Sequence, residues 1–427
     1  MQTNSFLVKV KSNTKIQAAL KWALSFVLGF YIFYIPSMSY TSKLNLIAYI
    51  LLPLLGIISI TYLLLYKRID IEKIKMPITL SICFCIFAFI STIFGAKQLS
   101  ALPRLFLVLL SGFVLFLCYH VFDKKENVIL LVAFSMLSFV VFYFGYSLIF
   151  NRARLFEWIK LKSEDPLTLV FFKRIGLDGG GGPNIISSYF GTCAVLFLYL
   201  VLFYKKLSFK LFLIPYFLCI FAGVTTGSRQ FIIAIALCSI VVYFMAMRKR
   251  PIVCIISAAV LILSFILFMT LDIFKNIRDP ILNGLGLLEN SRGDKSSSSR
   301  LLMLFEAFDI GGNRLFLGYG ADGFESISGW GGYAHNTYAN LYVSFGLFGL
   351  ILYFVPMALV LFETIESKSK DIFLVVAFMV YYIIIGFFIV WYKDKIFFIA
   401  YSLILYLYSL RPKAPAKRVV QYLEINI

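Results

Sequence analysis

Charge is what this sequence has least of: 14% of its 427 residues are Asp, Glu, Lys or Arg and 61% are hydrophobic, with a mean hydropathy of +0.90. Soluble domains carry about 25% charged and about 45–50% apolar residues, so a soluble globular chain is excluded. Phosphate-cradling sequences are missing as well. There is no Walker A sequence, no Gly-x-Gly-x-x-Gly following a strand, no Asp-x-Asp in a long polar loop and no polar stretch large enough for a nucleotide-binding domain, which argues against direct use of ATP or a nucleotide-linked group. Histidine occurs only twice, as His120 and His335, and the seven cysteines (Cys83, Cys85, Cys118, Cys193, Cys219, Cys238, Cys254) all fall in apolar runs. With none in the polar loops a disulfide framework there is excluded. No Cys has metal-ligand spacing with a His, and neither a metal nor a cofactor is expected.

What is present is a series of apolar runs near the roughly 20 residues needed to cross about 30 Å of hydrocarbon. They read as 18–36, 44–66, 77–95, 101–122, 128–150, 184–204, 209–224, 230–247, 251–270, 335–361, 372–391 and 395–410. The expected fold is all-α: a polytopic membrane protein of about twelve transmembrane helices, with a large outer loop carrying short helices between the ninth and tenth. The organisation is then helices one to five in 1–150, a first long outer loop in 151–183, helices six to nine in 184–270, the large outer loop in 271–334, helices ten to twelve in 335–410 and a tail in 411–427. The first run follows Lys9, Lys11 and Lys15, but it is longer than the apolar part of a signal peptide and leads into Pro36-Ser-Met-Ser rather than a cleavage site. It is read as a retained helix.

The formal net charge is +19, and its distribution gives its meaning. With the N-terminus inside, the cytoplasmic segments hold 22 of the 40 Lys and Arg, and the short outer loops hold 6: Lys43, Lys97, Arg104, Arg229, Lys393 and Lys395. Short loops follow the positive-inside rule, so both termini are expected in the cytoplasm. The other 12 basic residues lie in the two long outer loops, which escape that rule. Their charge is free to meet an anionic substrate, and nucleic acid is not an expected partner.

In the first long loop Arg152, Arg154, Lys160, Lys162, Lys173 and Arg174 are set among Phe156, Trp158, Phe171 and Phe172, and Arg152 to Lys162 suits an interfacial helix. The loop ends in Asp178-Gly-Gly-Gly-Gly-Pro-Asn184, a linker or a turn whose N–H groups cradle phosphate. Between two short spans, Thr225-Thr-Gly-Ser-Arg-Gln230 sets Arg229 near the outer edge of the hydrocarbon, snorkelling to lipid or held for function. In the second long loop Ser296-Ser-Ser-Ser-Arg300 precedes an apolar pattern in 301–308 that fits a serine-capped helix, which puts Arg300 in its first turn. A cation is disfavoured there unless an anion joins it. Helix ten is expected to open with His335, so that His335, Tyr338 and Tyr342 share a stripe. The helix terminus would keep the imidazole neutral, as a general base must be, whereas the bland alternative is an interfacial histidine bonded to loop backbone. Asp322 and Glu325 are the carboxylates nearest to it in sequence. His120, at the cytoplasmic end, is read as interfacial with no chemical role.

Gly182-Pro-Asn184, Gly227-Ser-Arg229, Ser299-Arg300, Phe316-Leu-Gly-Tyr-Gly320, and His335-Asn-Thr-Tyr338 followed by Phe345-Gly-Leu-Phe-Gly349 occur in that order around the large loop. Together they resemble the O-antigen ligase and O-antigen or capsular polysaccharide polymerase family of bacterial inner membranes, over residues 170 to 360. The resemblance implies metal-independent glycosyl transfer at the outer face of the inner membrane from an undecaprenyl-diphosphate-linked oligosaccharide. The acceptor is a sugar hydroxyl on another lipid-linked repeat unit in the polymerase branch, or lipid A-core in the ligase branch. It maps essential residues onto Arg229 and Arg300, which would hold the diphosphate, and onto His335, which would take the acceptor proton with inversion at the anomeric carbon; Asp322 or Glu325 is the alternative base. Arg174, Asn184, Arg314, Tyr319, Asn336 and Tyr338, in the same region, are the expected substrate-binding residues. Membrane lipids are implied partners, with a chain-length regulator and a flippase of the same pathway. The ligase branch often carries a second histidine two residues before the one matching His335; here Tyr333 stands there, which favours the polymerase. A flippase or exporter of lipid-linked sugars, the reading from another class, would show related halves, and no internal repeat is evident.

Overall fold

In the computed structural model, residues 14–38, 45–67, 72, 74–95, 99–150, 183–204, 210–226, 228–271, 295–366 and 371–411 are described. Of these 85% are helical and none forms a strand. Backbone groups in hydrocarbon have no water to bond, so each span closes its own hydrogen bonds as a helix. The apolar helices are α1 (Thr14–Met38), α2 (Asn45–Tyr66), α3 (Lys75–Phe94), α4 (Leu102–Val121), α5 (Lys125–Phe150), α6 (Pro183–Phe203), α7 (Leu213–Thr225), α8 (Arg229–Met247) and α9 (Pro251–Thr270). After the polar helices α10 (Lys295–Gly312) and α11 (Gly323–Ile327) come α12 (Thr337–Glu366), α13 (Ile372–Gly386) and α14 (Lys395–Ser409). Eight are long and apolar enough to cross a membrane, while α7, α9, α13 and α14 give shorter apolar runs. This is an all-α polytopic membrane protein. The first long loop, with Arg174 and the expected interfacial helix, lies outside the described residues, as does 272–294.

The helices pack on one another: α1 on α2 and α5, α4 on α2 and α14, α6 on α7, α8 and α13, and α12 on α3 and α13. Small residues allow close approaches, since lipid is as apolar as leucine and van der Waals fit drives association. A Cβ on Gly191 of α6 would meet the Tyr381 hydroxyl of α13 at 1.9 Å, and that hydroxyl donates to the Ser188 carbonyl at 3.0 Å. At one end of the bundle, ion pairs join Lys21 and Lys67 to Asp123, Lys125 to the buried Asp371, and Arg411 to Glu363. His120 lies there too, buried rather than interfacial and bonded to the Phe116 carbonyl and the Ser409 hydroxyl. His335 is at the opposite end.

Helix α12 is not continuous. At Gly346 the backbone turns to φ 63°, ψ −168°, a region essentially confined to glycine. The break frees backbone groups, and the segment 315–320 takes them up. Tyr319 N–H donates to the Val343 carbonyl at 2.9 Å, Gly320 N–H to Ser344 at 2.6 Å, and Leu347 N–H to Leu315 at 2.8 Å. Ser91 of α3 donates to the Leu317 carbonyl at 2.6 Å, and its Thr92 hydroxyl accepts from Ala321 N–H at 2.9 Å. The Phe316–Gly320 and Phe345–Gly349 motifs are thus two halves of one joint. A Cβ on Gly346 would lie 2.4 Å from the Phe316 carbonyl carbon, whereas one on Gly312 meets nothing within 4 Å. Gly346→Ala is expected to cost more than about 3 kcal/mol, from a forbidden backbone region plus overlap with main chain. Gly312→Ala should stay within about 0.5 kcal/mol. Thermal unfolding of the detergent-solubilised protein, followed by its monodispersity, separates the two; equal melting temperatures would refute the joint.

Candidate active site at the start of α12

The stretch His335-Asn-Thr-Tyr-Ala-Asn340 is fastened to the connection between α13 and α14. Asn336 accepts from Ala339 N–H at 3.0 Å through Oδ1, as an N-cap does, and donates to the Phe387 carbonyl at 3.3 Å through Nδ2. Thr337 donates to the Ile389 carbonyl at 2.6 Å and accepts from Trp391 N–H at 3.1 Å. Tyr338 donates to the Ile383 carbonyl at 2.8 Å, and its ring stacks on Phe354. Asn340 accepts from the Tyr392 hydroxyl at 2.8 Å. The capping by Asn336 starts α12 at Thr337, so His335 does not open the helix as expected. It stands just before the cap in a left-handed conformation, φ 53°. The expected stripe of His335, Tyr338 and Tyr342 is therefore absent: Tyr338 faces α13, while Tyr342 packs against Gly311 and Phe308 of α10.

Outside the helix, His335 gains a different setting. Its ring lies 4.5 Å from that of Tyr333, and its Nδ1 is buried without a hydrogen-bond partner. Burial, reinforced by the charge of Arg300, pulls its pKa down to about 4. Arg300 acts on Tyr333 as well. Helix α10 is laid over the start of α12 by a small apolar cluster of Ala307, Phe324, Ala334, Ala339 and Val343 and by the Trp330 indole, which donates to Glu306. This helix begins at Lys295, so Arg300 is in its second turn, past the serine cap expected from the sequence. Its proximity to His335 comes from tertiary packing instead. Because burial is the larger cause, Arg300→Gln should raise the His335 pKa above about 4 but leave it short of the ordinary 6.5. The imidazole is neutral above its pKa, so the variant should lose the neutral form at a higher pH than the wild type. An NMR titration of the His335 ring checks this, and an unmoved midpoint would contradict the placement of Arg300.

Asp322 and Glu325, the alternative bases, meet a residue that the sequence did not single out for the site. Lys393 donates to Asp322 Oδ1 and to Glu325 Oε1, both at 2.6 Å. Burial works to lower the Lys393 pKa, but the Tyr392 phenol and the two carboxylates hold it above the ordinary lysine value. Glu325 also accepts from Asn340 at 3.5 Å. Both carboxylates are thus engaged in ion pairs with Lys393. The only sequence signal for Lys393 is its place in Trp391-Tyr-Lys-Asp-Lys395, a short connection with two lysines.

The remaining expected residues are scattered. Arg314 donates to the Phe94 carbonyl at the end of α3 at 2.7 Å and lies over the Tyr319 ring at 4.9 Å, so these two serve the joint beside α12. Asn184 is the second residue of α6 and Arg229 the first of α8; α6 and α8 pack on each other and on α13, through which they reach α12. Flanking Arg229, the Ser228 hydroxyl and Gln230 Nε2 are buried without partners. The structure brings Arg300 and His335 together and sets Arg229 on a more distant helix.

The chain is thus a polytopic all-α membrane protein with a half-buried histidine and an arginine near the start of a broken helix. Residues 214–354, which span α7 to the middle of α12, match the family model described as O-Antigen ligase. The match supports the O-antigen ligase and polymerase family that the motifs resemble, and with it a membrane glycosyltransferase acting on lipid-linked oligosaccharide. No curated protein matches the chain.

Proposed function

We propose that the chain is a polysaccharide repeat-unit polymerase at the outer face of a bacterial cytoplasmic membrane, with both termini cytoplasmic. It transfers a glycan from an undecaprenyl-diphosphate-linked donor to a sugar hydroxyl of another lipid-linked repeat unit. The observation that carries the reading is His335: half-buried, neutral at pH 7 and with a buried ring nitrogen lacking a partner, beside Arg300. The acceptor oxygen attacks the anomeric carbon, the bond from that carbon to the diphosphate oxygen breaks, and the acceptor proton passes to His335. The diphosphate leaves on its lipid. Arg300, and Arg229 from α8, stabilise its charge through forked hydrogen bonds that lysine cannot copy. Attack from the face opposite the leaving group gives inversion, and the arginines supply the charge stabilisation that a divalent ion supplies in other transferases.

The ion pairing of Asp322 and Glu325 with Lys393 supports His335 as the base over either carboxylate. Tyr333 occupies the place where ligases often carry a second histidine, and its ring packs on His335, which supports the polymerase over transfer to lipid A-core. The test is to run lipid-linked glycans and surface polysaccharide from cells carrying His335→Ala. Single repeats left on lipid are the polymerase outcome. Long lipid-linked chains that fail to reach the surface would make the chain a ligase.

A further inference from the structure

Helix α10 has two faces that differ in what they meet. Arg300, Ala307 and Gly311 recur at helical spacing along one stripe, and that stripe is turned to α12: Ala307 is buried in one cluster with Ala339 and Val343, and Gly311 lies against the Tyr342 ring. Leu301, Leu302, Phe305 and Phe308 form the neighbouring stripe, and each is more than half exposed. Four large apolar side chains left open along one side of a helix mark a surface that something covers.

The patch continues beyond α10. Leu315, Phe316 and Leu317 are exposed as well, and the Phe316 ring packs at 5.2 Å on that of Phe348, which with Leu347 and Ile351 makes the exposed face of α12 past its break. Two helices measure the depth of this junction. Helix α3, Lys75–Phe94, is about 30 Å long, one thickness of hydrocarbon, and its last carbonyl, that of Phe94, accepts from Arg314. The stretch of α12 past the break, 347–366, is again about 30 Å long, and its first N–H, on Leu347, donates to the Leu315 carbonyl. Both measures put residues 314–317 at the boundary of the hydrocarbon, at the end of the bundle that holds His335. Arg314 suits that depth, where the C-terminal carbonyls of α3 and lipid phosphates both attract a cation, and the Tyr319 ring beside it is of a type enriched there.

We propose that α10 is a membrane-surface helix, with Leu301, Leu302, Phe305 and Phe308 seated in the lipid leaflet as a continuation of the lipid-facing side of α12. The occupant is lipid because the patch joins, through Phe316 and Phe348, a surface that lipid already covers, and because the junction stands at the depth where an amphipathic helix lies in the bilayer plane with its apolar side about 5–10 Å into the acyl boundary. The stripe that carries Arg300 is then held at headgroup height on the protein side of the helix. This seat does not depend on which acceptor the chain uses.

The experiment places a genetically encoded fluorescent aromatic amino acid at Phe305 and, in a separate variant, at Phe348 as the lipid-facing standard. The full chain is reconstituted in phosphatidylcholine nanodiscs and titrated with two quenchers, phosphatidylcholine brominated on its acyl chains and iodide in the water. Bromolipid should quench the probe at 305 at least about half as strongly as at 348, with little quenching by iodide, as a shallow seat requires. Quenching by iodide and not by bromolipid would show the stripe facing water and overturn the proposal. Quenching by neither would show a protein cover, from this chain or another, and overturn it as well. Both positions are exposed, so an aromatic replacement should leave the melting temperature unchanged. The same probe at Leu302, on the same stripe, gives a second reading should the variant at 305 fail to fold. Neither reading needs turnover, so the outcome stands apart from the polymerase assay.

Discussion

His335→Ala is expected to lower the rate of glycan elongation by about 10²–10⁴-fold, the usual worth of a positioned general base, with little change in protein stability. The stability side follows from the structure, because the imidazole Nδ1 makes no hydrogen bond whose loss would leave an orphan. The kinetic side follows from its protonation. Burial and Arg300 hold the His335 pKa at about 4, so in the free enzyme the base form is present at all higher pH and is lost only as pH falls through that value. The kcat/KM profile should be flat from pH 5 to 7 on this account, with an acid limb near 4. A limb near 6.5 would mean that the ring is not desolvated as described. His335→Gln keeps the size and a hydrogen-bonding end but cannot take a proton, and should be as inactive as alanine. If glutamine restored activity, the ring would be a hydrogen-bond donor to the substrate and not the base.

Lys393→Met is expected to be strongly destabilising although the residue lies outside the proposed chemistry. The ammonium is the shared partner of two carboxylates, with side-chain exposures of 14% for Lys393, 29% for Asp322 and 20% for Glu325. Removing it leaves two like charges facing each other in a poorly hydrated site. Removing one partner from a buried ion pair costs about 3–5 kcal/mol; with these partly wetted carboxylates about 2–4 kcal/mol is expected after screening. The disturbance is not confined to the triad, since Glu325 accepts from Asn340, and Asn340 from Tyr392, within the fastening that starts α12. Neutralising one carboxylate should repair much of the damage: Lys393→Met with Glu325→Gln should recover more than half of the lost stability in a double-mutant cycle. Additive losses in thermal unfolding would show that the three residues do not act as a unit. Lys393→Arg keeps the charge and should fall between wild type and Lys393→Met.

Much of the architecture was legible in the sequence because a bilayer imposes one strong rule. A run of about 20 apolar residues that enters hydrocarbon must be a helix, and the runs read at 44–66, 128–150 and 251–270 meet helices at Asn45–Tyr66, Lys125–Phe150 and Pro251–Thr270. The joint at α12 was legible only as two glycine-containing motifs. Nothing in either string says that a break at Gly346 lets Val343, Ser344 and Leu347 bond 315–320, because that bonding depends on the other string being held in place, in part by α3. The start of α12 was misplaced by two residues for a related reason: apolar periodicity does not register a side-chain cap, and Asn336 supplies one.

By itself, the sequence determined that the chain is a membrane protein and roughly where its helices run, and it set Arg300 in the polar segment before a late helix that it opened two residues early, at His335. It could do so because hydropathy and residue type are local properties. Only the tertiary structure decided that Arg300 lies beside His335 and that Lys393 takes up Asp322 and Glu325. Those are electrostatic relations between groups far apart in the chain, and they exist only once helix packing has fixed which ends of which helices are neighbours.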